Sequence, residues 1–152
     1  MAGLDTSILS DVRVIKEGGR LKVGKIVGHI GIKEAEIQRR EYERIAKPIF
    51  DENEKTIINP VLGMEKLLML ATGSKREILE NMNLFVSYVG DTKRIAYYFV
   101  NVDILRCIGQ GVLYLFEELA STIIRINKQR KSFHFSVLKS VNNELDKIEI
   151  KI

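Results

Sequence analysis

Apolar and charged residues alternate in "VRVIK" (12–16) and again in "RLKVGKIV" (20–27), on either side of Gly18-Gly19. A period of two marks a half-buried strand, and a Gly-Gly pair accepts the positive φ angles of a tight turn. The pattern predicts a β-hairpin region over residues 11–32, with Glu17 opposite Arg20 and Val14 opposite Val23.

The period then lengthens. "KEAEIQRREYERIAK" (33–47) reads as a helix with Glu36–Arg40 and Glu43–Lys47 spaced for i,i+4 ion pairs, and Pro48 is expected to end it. "FDENEKTIINP" (50–60) reads as a polar connection with a turn at Asn59-Pro60, and "VLGMEKLLMLATG" (61–73) as a short apolar helix. Ser74 followed by Glu77 is a capping box. It opens a helix that gathers Ile78, Met82, Phe85, Val86 and Val89 on one face and stops at Gly90.

In residues 94–102, "RIAYYFVNV", the aromatic and β-branched residues suit a strand, with a helix a close alternative. From Asp103, the series Leu105, Ile108, Val112, Leu115, Leu119 and Ile123 keeps helical spacing, with Gly109 and Gly111 weakening its first turns. Residues 132–139 are again two-faced: "SFHFSV" alternates, while Leu138, Val141 and Leu145 are spaced as on a helix. The closing "KIEIKI" puts Ile148, Ile150 and Ile152 on one side of a strand. The fold class expected is α+β in a single domain, 1–152. A helical middle of three to five helices (33–127) lies between the hairpin and a basic tail with a terminal strand (128–152).

The composition, with 45% hydrophobic and 29% charged residues, is that of a globular protein. The first residues show no basic stretch leading into an apolar run, so no signal peptide is expected. The apolar span 95–116 carries Asp103 and Arg106, which argues against a membrane helix. One cysteine, Cys107, rules out an internal disulfide framework and fits a cytoplasmic setting. Twenty isoleucines and fourteen lysines against three glutamines suggest a thermophile or a low-GC genome. Charge is uneven along the chain. Residues 1–33 carry six Lys/Arg against three Asp/Glu, residues 34–118 eleven against fourteen, and residues 119–152 seven against three.

Several chemistries are hinted at and set aside. Gly19, Gly24 and Lys25 have phosphate-loop spacing, but Ile26 stands where a Ser or Thr would hold Mg²⁺, and "KIVGHIGI" is no helix. Glu149 and Lys151 in "IEIK" have the Glu-x-Lys pattern of metal-dependent nucleases, a triplet common by chance. His29 and His134 have no partner at metal-ligand spacing, and Cys107 is expected to be buried in an apolar helix. Asp51, Glu52 and Glu54 lack calcium-loop spacing. No catalytic constellation, metal site or cofactor is expected.

The strongest functional signal is "RINKQRKSFHF" (125–135). Arg125, Lys128, Arg130 and Lys131, with Lys139 beyond, could neutralise phosphates, and Phe133, His134 or Phe135 could stack on unpaired bases. A basic helix end followed by core phenylalanines explains the same residues without function. Arg13, Arg20, Lys22 and Lys25 form a secondary basic patch. The sequence therefore suggests a small non-catalytic nucleic-acid-binding protein, or a subunit of a nucleoprotein assembly, able to form a homo-oligomer. The alternative is a protein–protein interaction or regulatory subunit that uses the apolar surface of residues 95–126.

Overall fold

A computed structural model describes residues 7–20, 22–71 and 74–152. It has an α+β fold in two compact units, Met1–Val100 and Asn101–Ile152.

The first unit opens with a 3₁₀ turn, Ser7–Asp11, followed by β1 (Arg13–Glu17) and β2 (Lys25–Ile30). The two strands are parallel, with Arg13 beside Lys25 and Glu17 beside Ile30. This corrects the expected hairpin. Gly18 and Gly19 do not form a two-residue turn. Gly18, Gly19 and Gly24, between the two strands, all have positive φ. At Gly24 a side chain is doubly excluded. Its φ is +68°, and a Cβ would lie 2.5 Å from the Val12 carbonyl oxygen.

Helix α1 (Ala35–Asp51) covers this pair. Ile45 sits so close to Gly28 of β2 that a Cβ there would meet it at 2.6 Å. Pro48 does not end the helix. A proline so near the C-terminus removes one backbone bond, and the last turn closes when Glu52 N–H donates to the Pro48 carbonyl at 2.9 Å. Glu36 pairs with Arg40 as expected, whereas Glu43 pairs back to Arg39 at 3.5 Å.

The expected polar connection at 50–60 is also corrected, because Ile57–Leu62 is a strand, β3. It runs parallel to β4 (Arg94–Phe99), and Pro60 sits beside Tyr97. A two-stranded sheet has only edge strands, so a proline can turn its missing N–H to the open side. Between them come α2 (Met64–Leu70) and α3 (Lys75–Val86). Ser74 caps α3 as expected, its Oγ accepting from Glu77 N–H at 3.2 Å, but its own N–H donates to the Ala71 carbonyl at 3.1 Å rather than to the Glu77 carboxylate of a full capping box. Leu68, Ala46, Met82 and Phe85 are buried in this unit.

Beneath β4 lies a buried cation. The Arg94 guanidinium stacks 3.8 Å from the Tyr88 ring centre and reaches the hydroxyls of Tyr42 and Tyr98, each at 3.3 Å. The opposite face, with Ile58, Leu62, Ile95, Tyr97 and Phe99, is exposed.

In the second unit the expected helix from Asp103 is broken in two. Asn101 caps α4 (Val102–Ile108) through its side-chain oxygen, which accepts from Asp103 and Ile104 N–H. Gly109 is extended (φ 160°, ψ 141°), and α5 (Gln110–Leu119) begins anew. The glycine that weakens a helix by about 1 kcal/mol here interrupts it. Ile123 belongs not to the helix but to β5 (Thr122–Gln129), so the 33–127 segment holds β3, β4 and the start of β5 besides its helices. β6 (Ser132–Ser140) and β7 (Glu149–Lys151) complete an antiparallel sheet in the order β5-β6-β7.

Candidate interaction site on the C-terminal sheet

The basic segment is a hairpin rather than a helix end. Gln129 pairs with Ser132, which leaves Arg130 and Lys131 as the turn, with Arg130 at φ 55°. From there Lys128 faces Phe133, Asn127 faces His134, Ile126 faces Phe135, Arg125 faces Ser136 and Ile124 faces Val137. The ladder shifts between Ile123 and Ile124, so Leu138 is an extra residue on β6.

β7 adds a third column. Lys151 lies beside His134, Ile150 beside Phe135 and Glu149 beside Ser136. Phe133 and Ile152 exchange backbone bonds of 2.8 and 2.9 Å, and Val137 N–H donates to the Ile148 carbonyl at 2.9 Å.

Residues directly opposite on antiparallel strands share a face, and alternate residues change face. One face therefore carries three rows: Ile124–Val137–Ile148, Ile126–Phe135–Ile150 and Lys128–Phe133–Ile152. Eight of these nine residues are apolar, and Lys128 lays its ammonium 5.7 Å from the Phe133 ring centre. The face is open, with Phe133 44%, Ile126 48%, Ile150 53% and Ile152 75% exposed. The other face carries Arg125, Ser136 and Glu149, then Asn127, His134 and Lys151, with Gln129 and Ser132 nearest the turn.

The structure thus divides the residues that the sequence places in one cluster. Arg130 and Lys131 stand at the hairpin tip, Arg125 and His134 on the polar face, and Lys128, Phe133 and Phe135 on the apolar face. Lys139 leaves the group, since its ammonium donates to the carbonyls of Glu117 at 2.8 Å and Glu118 at 3.2 Å, at the end of α5. There it complements the helix dipole. The terminal strand that sequence alone suggests is present. What sequence alone misses is the joint face, because the three rows come from strands whose register cannot be read locally.

In the secondary basic patch, Arg13 and Lys25 are neighbours across β1–β2, and Arg13 lies 3.8 Å from Glu52. Arg20 and Lys22 lie in the connecting loop, both exposed. Lys25 begins a strand, so no helix N-terminus follows Gly24 to cradle a phosphate. Cys107 is exposed rather than buried, on the outer side of α4. His29 is exposed on β2 and His134 half-buried on β6. Among the described residues there is no group of three or more His, Cys, Asp or Glu placed to hold a metal. Among them, too, no helix is long and apolar enough to cross a membrane.

The model of a family described as "Pyrococcus protein of unknown function, DUF257" matches residues 1–151. The chain belongs to this family. A solved structure from Pyrococcus horikoshii OT3, described as a structural study, resembles this DUF257 chain with a TM-score of 0.80 and 32% sequence identity. The similarity covers 98% of this chain and 69% of that one. No curated protein matches.

Proposed function

We propose that this DUF257 chain is a non-catalytic interaction subunit that docks on protein through the apolar face of its C-terminal sheet. The observation that carries this reading is an apolar face of three rows on a regular antiparallel sheet, with Ile124, Ile126, Phe133, Ile150 and Ile152 exposed and Phe135, Val137 and Ile148 half-buried. One solvated polar face and one apolar face is the normal pattern for such a sheet, and the apolar face normally meets a covering layer. Large side chains left in water here would each gain about 1.5–3 kcal/mol on full burial. A cytoplasmic setting suits the single cysteine, and the isoleucine- and lysine-rich composition suits a thermophilic source.

The reading is tested by using the full chain as bait in extract of its host, alongside Ile126→Glu and Ile150→Glu chains that retain the wild-type circular dichroism. A defined partner held by the wild type at high salt, and lost from both variants, is the expected result. A partner held equally by all three proteins places docking elsewhere and overturns the reading.

A second reading, nucleic-acid binding, draws on Arg130 and Lys131 at the hairpin tip with Arg125, His134 and Lys151 on the polar face. It requires retention of single- or double-stranded nucleic acid at low salt. Replacing Arg130 and Lys131 together would then flatten the salt dependence by about two units or less. A wild-type chain that retains neither strand form removes this reading.

A further inference from the structure

The covering layer for this sheet has a defined size and charge. Three rows along the strands span about 13 Å, and three strands span about 10 Å. That is the footprint of a single helix of about three turns. One end of the face is basic, with Lys128 in its last row and Arg130 and Lys131 just beyond. A matching helix would be apolar along one stripe and acidic at one end.

The chain itself contains such a helix. α5 (Gln110–Leu119) has ten residues, about 15 Å at 1.5 Å per residue. Its Val112 is buried, while Tyr114 is 65% and Leu115 39% exposed. Gly111, Tyr114, Leu115 and Glu118 fall at i, i+3, i+4 and i+7, one continuous exposed stripe. The stripe ends in Glu118, with Glu117 beside it. Charge complementarity sets the direction, with the acidic C-terminal end of α5 toward Lys128 and the hairpin tip. The negative end of the helix dipole then also lies toward those cations.

We infer that the occupant of the apolar face is α5 of a second copy of this chain, and that the contact is reciprocal across a two-fold axis. In such an arrangement each copy gives its helix stripe and receives its partner's, so every contact occurs twice. This inference rests on the proposed function and names the partner.

The test is the mass of the purified full chain by light scattering over a range of concentrations. Twice 17.4 kDa is expected. Ile150→Glu on the sheet face and Tyr114→Glu on the helix stripe should each weaken the dimer at least tenfold. Both positions are exposed, so circular dichroism should be unchanged, and Tyr114→Phe should stay dimeric. Mixing the two glutamate variants should yield a heterodimer, because one of its two contacts is fully native. A charge exchange, Lys128→Glu with Glu118→Lys, should dimerise better than either single change. A monomeric wild type overturns the inference, as does a dimer indifferent to Tyr114→Glu or a variant pair that never associates. A monomer that still holds a different protein through Ile126 and Ile150 would overturn the inference and leave the proposed function standing.

Discussion

Phe133 and Ile152 exchange both backbone hydrogen bonds, at 2.8 and 2.9 Å, so the end of the chain is a strand of the sheet and not a free tail. Termini fray unless something ties them down, and here Ile148, Ile150 and Ile152 each complete an apolar row. Removing residues 148–152 should lower the melting temperature by about 3–6 °C, the shift produced by one to two kcal/mol in a chain of this size. An unchanged melting curve would show that the third column contributes nothing.

Arg94 depends on tyrosines. Its guanidinium meets the Tyr88 face at 3.8 Å and two hydroxyls at 3.3 Å, and its side chain is buried. Burial of the Tyr88 hydroxyl contributes to pushing its pKa up to about 12, which keeps the ring neutral under the cation. Arg94→Ala should cost about 3 kcal/mol through lost stacking and the two hydrogen bonds lost to Tyr42 and Tyr98. Arg94→Lys should recover less than half of that, because an ammonium cannot stack as a plane. Chemical denaturation of both variants checks the ranking; equal stability of the lysine variant and the wild type would contradict it.

Glu17 should make stability fall with rising pH. Burial, reinforced by the nearby Glu41 carboxylate, pushes its pKa from 4.5 up to about 7, and its Oε1 is buried without a hydrogen-bond partner. Glu41 is held in its charged form by Lys33 at 2.6 Å. Between pH 4.5 and about 7 the folded chain keeps a proton at Glu17 that the unfolded chain has lost. This contribution is therefore complete below pH 4.5 and is gone once pH passes about 7. Partial solvent screening limits it to about 1–2 kcal/mol. Glu17→Gln should melt higher than the wild type at pH 8 and nearly level with it at pH 4. A difference independent of pH would place the effect elsewhere.

Lys25→Ala should leave fold and ligand behaviour unchanged. The residue opens β2 beside Arg13, and the backbone beyond it is extended. Isothermal titration with ATP and GTP should give no saturable heat for either protein. Micromolar binding lost on substitution would contradict the structural assignment of this glycine-rich segment.

Local signals in the sequence are faithful wherever the structure they report is local. The Ser74–Glu77 cap and the three isoleucines of the terminal strand read correctly, because each depends on residues a few positions apart. The parallel return of β2 does not, because alternation about Gly18-Gly19 fits a hairpin as well as a seven-residue crossover. β3 is hidden by Asn59-Pro60, a turn signal that an open sheet edge tolerates. The stripe from Leu105 to Ile123 keeps helical spacing across Gly109 although the backbone there is extended, and the β-branched run Thr122-Ile123-Ile124 then starts a strand. Once that run pairs with β6, the basic segment becomes a hairpin. Only the pairing divides its cations from its apolar rows.

The most direct measurement replaces Ile126 with a photo-reactive amino acid in the full chain and irradiates it in host extract at low and at high salt. Ile126 lies in the middle row, beside Phe135 and Ile150. A docking face for protein should give a protein adduct that survives high salt, because an apolar contact is not screened. A nucleic-acid adduct that vanishes as salt rises, or no adduct at either salt, would contradict a protein-docking face.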